Sequence, residues 1–174
     1  MSNNRSDVEE LVYDTCMLLD AKDFKGFLER CDERFEYKLS AYSPEIKREM
    51  TWLDHGRAEI SELFNTLPRH NTDPSPLTRN AVVYKVKVDD DAKRASVVSA
   101  LQVFRTAING GVTELFAIGK YYDTVDLNGD TPRLLARHVK LDTRDLGWVH
   151  HVPFQAQRTP ATGEKFDADH HGAH

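Results

Sequence analysis

Four long alternating segments in the second half of the chain constrain the fold more than any other feature. They span roughly residues 79–88, 95–107, 112–127 and 133–141, and short turns rich in Asp, Asn and Gly separate them. Turns of this composition between alternating runs are typical of hairpins, so each strand should pair antiparallel with the one before it. Because strands of this length twist strongly, the predicted sheet is curved.

The first half of the chain has helical periodicity instead. A capping box beginning at Ser6 precedes a first amphipathic helix, and Asp23 can cap a short second helix. Residues 54–67 predict a third helix, residues 35–39 a strand, and residues 43–50 a surface loop. No strand–helix–strand alternation occurs, which argues against a parallel doubly wound sheet. The predicted class is therefore α+β: a curved antiparallel sheet wrapped around N-terminal helices to form a cone.

The composition supports one domain followed by a tail. Hydrophobic residues make up 40 % of the 174 residues, which is enough for a core. Residues 1–154 are interpreted as a single domain with the cone fold. Residues 155–174 are mostly polar and show no periodicity, so they are expected to form an extended or disordered tail.

Charge and cysteine content exclude several classes of protein. The formal net charge is −5 and no Lys- or Arg-rich run occurs, so neither nucleic acid nor a membrane surface is an expected partner. No segment approaches the ~20 apolar residues that span a bilayer, and the first residues lack an apolar signal region. Cys16 and Cys31 fall in helical stretches and do not suggest a disulfide framework. A cytoplasmic location is therefore predicted.

The segment Val97–Phe104 is apolar on both of its alternating faces. A sheet with one face in water would alternate cleanly between apolar and polar residues. One face should therefore pack on the helices, and the other should also be covered. The cover is either another subunit or the C-terminal tail of the same chain.

The order of several short motifs resembles the small (β) subunits of Rieske non-haem iron ring-hydroxylating oxygenases. These motifs are an opening helix that ends in Leu-Asp, a first strand, a lead into the next strand, two central hairpin strands and a last strand. They correspond to Val8–Asp20 with Phe24, Phe35–Tyr37, Asp73–Arg79, Phe104–Thr106, Gly119–Asp123 and Ala136–Asp142. The likeness covers roughly residues 7–154, and the chain then runs on past the point where many members stop.

This resemblance implies both a fold and a role. The fold would be the cone of the nuclear-transport-factor-2 and ketosteroid-isomerase superfamily. The chain would be a non-catalytic subunit that trimerises and supports a catalytic large (α) subunit, with three copies of each. The Rieske 2Fe-2S cluster and the mononuclear non-haem iron would belong to that partner. Residues 63–71 and 146–148 are most similar to the methanesulfonate monooxygenase branch, which implies a short alkanesulfonate as substrate in place of an aromatic ring.

The residues themselves argue against iron chemistry in this chain. A Rieske cluster needs paired C-x-H and C-x-x-H motifs. The residues two and three positions beyond Cys16 are leucines, and those beyond Cys31 are Glu33 and Arg34. No histidine pair on a predicted helix face supplies a site of two histidines and a carboxylate. We therefore predict no catalytic, cofactor-binding or metal-binding residue in this chain.

The remaining histidines do not predict a metal site. His150 and His151 are adjacent, so they point in different directions on an extended segment. Three histidines in the tail could bind a stray divalent metal or could simply be solvated: His170, His171 and His174. Solvation is the simpler interpretation.

A free-standing enzyme with an acid–base residue in the cone is the main alternative. Asp123 would act as the base of an isomerase, dehydratase or hydrolase, with Tyr37 or His138 polarising a carbonyl group. The phase of the last strand weakens this alternative, because it directs His138 outward. The opposite, inner face of that strand is predicted to carry Leu135, Arg137, Val139 and Leu141. A ligand-binding or scaffold module is a third hypothesis.

Three arginines lie on predicted strands at motif positions. Arg79, Arg105 and Arg137 can form ion pairs in the core or at an interface, because a guanidinium binds a carboxylate through two hydrogen bonds. Asp123 and Asp142 are candidate partners. The alternative is that these arginines are exposed charges that prevent aggregation through the sheet edge.

Overall fold

The computed structural model describes residues 4–70 and 74–143, and within them the chain forms three helices and six strands. The helices are α1 (Asn4–Asp20), α2 (Phe24–Glu29) and α3 (Arg57–His70). The strands are β1 (Cys31–Ser43), β2 (Arg48–Gly56), β3 (Leu77–Asp89), β4 (Arg94–Thr106), β5 (Thr113–Asp126) and β6 (Arg133–Leu141). The α+β class is confirmed. The predicted domain boundary at residue 154 and the predicted tail lie outside the described residues.

The six strands form one open sheet in the order β2-β1-β6-β5-β4-β3. Successive hairpins join β3, β4, β5 and β6, as predicted from the turns. The prediction of a wholly antiparallel sheet is wrong at one junction, because β1 and β6 pair in parallel. The chain enters β3 at the far edge of the sheet and returns through three hairpins, which leaves β6 beside β1 and running in the same direction. Turn chemistry reports only on neighbouring strands and cannot reveal this pairing.

The segment after β1 differs from its prediction. Part of the expected surface loop is strand β2, which pairs antiparallel with β1, and α3 begins only at Arg57. Strand β2 is an edge strand whose residues are exposed or half-buried, so it lacks the apolar alternation that identifies a strand. The Asp23 cap is confirmed, since its carboxylate accepts a hydrogen bond from the Gly26 amide. The predicted cap at Ser6 is wrong, because α1 already begins at Asn4.

The helices pack on one face of the sheet, which we call the inner face. Its buried residues include Tyr37, Leu101, Tyr121 and Val139, and the opposite surface is called the outer face. The core side of α1 is formed by Val8, Leu11, Val12, Thr15, Cys16 and Leu19. Phe24 of α2 stacks on Phe64 of α3, with ring centroids 4.3 Å apart. No helix among the described residues is long and apolar enough to cross a bilayer.

A register shift changes one residue of the predicted inner face. The pairing of β5 with β6 slips between Thr124 and Val125, so that Leu134 and not Leu135 is fully buried. A bulge of this kind reverses which residues face inward beyond it. Cys31 also differs from its prediction: it is the first residue of β1, and its buried thiol, like that of Cys16, is free.

Gly119 gives the first testable prediction, because β6 approaches it closely. A Cβ atom added at Gly119 would lie 2.2 Å from the Lys140 carbonyl oxygen and 2.9 Å from the Leu141 Cα. Both are backbone atoms of a paired strand, so the Gly119→Ala variant must distort the β5–β6 ladder. We expect a loss of about 1–3 kcal/mol in the free energy of unfolding, measured with urea. Gly56→Ala is the control, because nothing lies within 4 Å of its added Cβ. Equal stability of the two variants would contradict this account of the packing.

Candidate functional site

A buried ion pair lies at the centre of the inner face. Arg137 on β6 donates from Nε to Asp123 Oδ1 at 2.8 Å and from Nη2 to Asp123 Oδ2 at 3.0 Å. The two side chains are 1 % and 0 % exposed. Asp123 and Arg137 are direct cross-strand partners, so the antiparallel pairing of β5 with β6 sets this geometry. The pair is the bidentate arrangement that arginine forms with carboxylates.

The same guanidinium connects the sheet to α1. Arg137 Nη2 donates to Thr15 Oγ1 at 3.0 Å, and the Thr15 hydroxyl donates to the Val12 carbonyl at 2.6 Å. The Tyr121 ring lies against the other side of the group, with its centroid 4.0 Å from the guanidinium carbon. Burial alone would lower the pKa of Arg137, but Asp123 and Tyr121 more than offset this, so its pKa lies above the ordinary value. Arg137 therefore remains charged.

This arrangement does not suit Asp123 to the role of a general base. Both of its carboxylate oxygens accept hydrogen bonds from a permanent cation. The carboxylate is therefore committed to this ion pair, whose disruption would leave a charge buried without its counter-charge. Tyr37 is equally enclosed, and burial raises the pKa of its phenol well above the usual value. Burial likewise raises the pKa of the Cys31 thiol to about 12, so it is not a reactive thiolate.

The other two arginines of the sequence prediction have different surroundings. Arg79 Nη1 donates to Asp20 Oδ1 at 2.9 Å, and the Arg79 backbone amide also donates to this carboxylate. This second largely buried pair ties β3 to the end of α1, although Asp20 was not among the predicted partners. Burial raises the pKa of Asp20, and Arg79 acts in the opposite direction. Arg105 lies 3.2 Å from Glu114 in a pair at the sheet surface.

A second polar cluster lies on the outer face, where three strands meet. His138 on β6 points outward as predicted, and its Nε2 lies 2.7 Å from Ser40 Oγ on β1. Glu49 of β2 approaches the same ring nitrogen at 3.0 Å, and its carboxylate accepts a hydrogen bond from the Ser40 hydroxyl. The cluster therefore fastens the edge strand β2 to β1 and β6. Sequence patterns missed Ser40 and Glu49, because Glu49 lies in a segment predicted to be a loop.

The serine, histidine and glutamate do not form a nucleophilic triad. In a triad the acid binds the imidazole nitrogen opposite to the one that contacts the serine. Here Glu49 and Ser40 both approach Nε2 of His138. Burial lowers the pKa of His138, partly offset by Glu49, whereas the Ser40 hydrogen bond lowers the pKa of Glu49. The arrangement is a structural cluster around an ionised carboxylate.

An outer-face recess of about 240 Å³ lies beside this cluster. Its polar lining includes Ser40, Glu49, Lys120, Tyr122, Lys140 and Asp142. The Lys140 Nζ lies 5.0 Å from the centroid of the Tyr122 ring. We call this the lysine recess. Two of the strands that form it, β5 and β6, are the strands that carry the inner ion pair on their opposite side.

Metal-ligating groups do not converge in the part of the chain that the structure describes. No group of three or more His, Cys, Asp or Glu side chains in residues 4–70 and 74–143 could hold a metal ion. His55 pairs with Glu59 at 2.6 Å beside α3. The histidines at 150–151 and in the tail lie outside the described residues, so the interpretation given to them stays a prediction.

Comparisons with known proteins show the family to which this chain belongs. The family model described as "Ring hydroxylating beta subunit" matches residues 15–147, and the chain belongs to this family. It is 37 % identical over 153 residues to the methanesulfonate monooxygenase hydroxylase subunit beta of Methylosulfonomonas methylovora, with 84 % of each chain covered. It is 30 % identical over 146 residues to the 2-aminobenzenesulfonate 2,3-dioxygenase subunit beta of an Alcaligenes species, covering 84 % of this chain and 96 % of that one.

Solved structures support the fold. The crystal structure of the beta subunit of benzoate 1,2-dioxygenase from Burkholderia mallei matches with a TM-score of 0.61 and 14 % sequence identity. The match covers 78 % of this chain and 89 % of that chain. At this level of identity the likeness shows the cone fold alone. The fold and family expected from the sequence motifs are thus confirmed.

The inner ion pair gives the second prediction. Arg137→Met leaves the Asp123 carboxylate buried without its cation, so we expect a loss of about 3–5 kcal/mol in the free energy of unfolding. The matched control is Arg105→Met, which removes an arginine from a surface pair and should cost less than about 1 kcal/mol. Chemical denaturation at neutral pH measures both variants. A cost for Arg137→Met no greater than that for Arg105→Met would show that the buried pair does not organise the core.

Proposed function

We propose that this chain is the small subunit of an oxygenase whose large subunit acts on an organosulfonate, with methanesulfonate as the first candidate. The observation that carries the proposal is the 37 % identity, over 84 % of both chains, to a subunit named for methanesulfonate monooxygenase. The second relative is named for 2-aminobenzenesulfonate, so the two names share the sulfonate group and differ in the carbon skeleton. Oxygenation of an aromatic ring is the alternative within the same family.

The division of chemistry between the subunits follows from the family. Small subunits of ring-hydroxylating oxygenases lack the redox cofactors, and the Rieske 2Fe-2S cluster and mononuclear iron lie in the large subunit. These groups supply electron transfer and oxygen activation. The contribution of this chain is structural: a sheet whose inner face is filled by helices and whose strands are fixed by the Arg137–Asp123 and Arg79–Asp20 pairs.

We also propose that three copies of each subunit assemble in the cytoplasm, with contacts between small subunits made through the outer face of β4. Support comes from apolar side chains on that side of the sheet. Val98 and Ala100 of β4 are half-buried, while Val82 and Ile118 on the neighbouring strands are 47 % and 41 % exposed. These side chains form an apolar surface that a second copy would cover.

Self-association through β4 is tested with a charge placed on its outer side. In the variant Val98→Asp, a carboxylate would have to be desolvated within the interface, and its exposed cross-strand neighbour Lys85 would be drawn in with it, so the trimer should dissociate. Ser96→Asp is the control, because this exposed position lies on the same strand and the same face. Native mass spectrometry of the purified chain at micromolar concentration measures the oligomer, and a thermal melt checks folding. A wild-type chain that is only monomeric would contradict the proposal.

The function itself is tested by reconstitution. This chain is co-expressed with a large subunit of the same oxygenase family, and we expect a stoichiometric complex with Rieske absorbance that oxidises methanesulfonate. Omission of this chain should abolish assembly or strongly reduce turnover. A parallel turnover assay with 2-aminobenzenesulfonate shows whether the complex prefers an alkanesulfonate or an aromatic substrate.

A second arm of this experiment examines the lone chain. We expect no turnover of methanesulfonate, ketosteroids or simple esters, with or without added iron. Turnover by the lone chain that disappears in Asp123→Asn or His138→Ala would overturn the subunit proposal and establish the pocket enzyme in its place.

A further inference from the structure

The hairpin formed by β4 and β5 extends beyond the end of β6. The pairs between β5 and β6 stop at Gly119 and Leu141, whereas β5 already begins at Thr113. Strands β4 and β5 continue to pair with each other as far as Thr106 and Thr113. Because β6 runs antiparallel to β5, its last residues point along β5 toward the turn of this hairpin.

The projecting part of the hairpin carries large apolar side chains. Leu115 on β5 is 54 % exposed, and its cross-strand partner on β4 is the half-buried Phe104. Ile108 and Val112, which flank the turn, are 59 % and 65 % exposed. We call these four residues the hairpin patch. Exposed apolar side chains gathered in one place are typical of a surface that another segment or another protein covers.

The last described residues lie at the base of this hairpin. The Asp142 amide donates to the Ile118 carbonyl at 2.8 Å, and the Ile118 amide donates to the Thr143 hydroxyl at 2.9 Å. Ile118 is separated from Leu115 by about 10 Å along an extended strand. The chain from Thr143 to Leu146 spans a similar distance when it is extended. Leu146 can therefore reach the hairpin patch.

The sequence that follows Thr143 changes character at residue 154. Residues 155–174 contain a single large apolar side chain, Phe166. Five of the eleven residues 144–154 are large and apolar: Leu146, Trp148, Val149, Val152 and Phe154. A short tether holds these side chains beside the hairpin patch at a high effective concentration, which favours contact within one chain over contact between chains.

We infer that residues 144–154 pack against the hairpin patch of the same chain and cover it. The inference goes beyond the proposed function and does not depend on it, since it concerns a single chain. Three observations favour this segment as the occupant: β6 points toward the patch, Leu146 can reach Leu115, and the segment is rich in large apolar side chains. The apolar surface around Val98, further along β4, is left for a second copy.

The test uses Trp148 as a fluorescent reporter in the full-length chain. The chain has two tryptophans, and Trp52→Phe removes the other one, which lies on the edge strand β2. We expect acrylamide to quench Trp148 severalfold less in the folded protein than in urea. Leu115→Asp should raise the quenching toward the value in urea, because its carboxylate would have to be desolvated beneath the segment. Met17→Asp is the matched control, since it places the same charge at an exposed apolar position on α1.

Each outcome either supports or overturns the inference. Trp148 that is quenched equally in the folded and the unfolded chain overturns it. Protection that Leu115→Asp leaves unchanged, or that Met17→Asp removes to the same extent, also overturns it, because the segment would then pack elsewhere. Protection that is lost on dilution identifies a second copy as the cover, which contradicts packing within one chain. Thermal melts show whether each variant is folded, and the milder Leu115→Ser replaces Leu115→Asp if the latter does not fold.

Discussion

The bidentate pair between Arg137 and Asp123 is the interaction on which the arrangement of this domain depends. It joins two neighbouring strands, and through Thr15 it also fixes the position of α1 on the sheet. Two buried charges are costly to remove from water, so the pair is retained only because its geometry satisfies most of the polar atoms. The Arg137 guanidinium also lies over the Tyr121 ring, and this cation–π contact stabilises the charge inside the apolar core. A core organised in this way has little freedom to rearrange.

The same pair makes Asp123 unsuited to acid–base chemistry. Asp123 lies on the inner face, where a catalytic carboxylate would be needed, but its oxygens already bind a permanent cation. The polar groups that remain accessible are on the other side of the sheet, in the His138 cluster and the lysine recess. Because β5 and β6 carry side chains on both faces, the ion pair on the inner face also fixes the positions of the groups on the outer face.

The sequence predicts those parts of the fold that depend on local chemistry. Turn residues and alternation locate β3 to β6 within a few residues, and strand phase correctly turns His138 outward. Long-range pairing is not encoded locally, so the parallel contact of β1 with β6 was missed. The edge strand β2 has too little buried surface to show an alternation of apolar and polar residues. The sequence therefore reveals neither this strand nor the position of Glu49 within it. The sequence predicts Arg137 and Asp123 as candidate partners in an ion pair. The bulge that buries Leu134 has no sequence signal.

The parallel pairing of β1 with β6 also determines the order in which the chain can fold. Arg137 and Thr15 are 122 positions apart, and β1 acquires its second neighbour only when β6 is present. Contacts between such distant segments require closure of a large loop and slow the folding of a domain. During synthesis, α1 and β1 leave the ribosome long before the strand that completes them. The apolar surface of the N-terminal half therefore stays exposed until the second half of the chain has been synthesised.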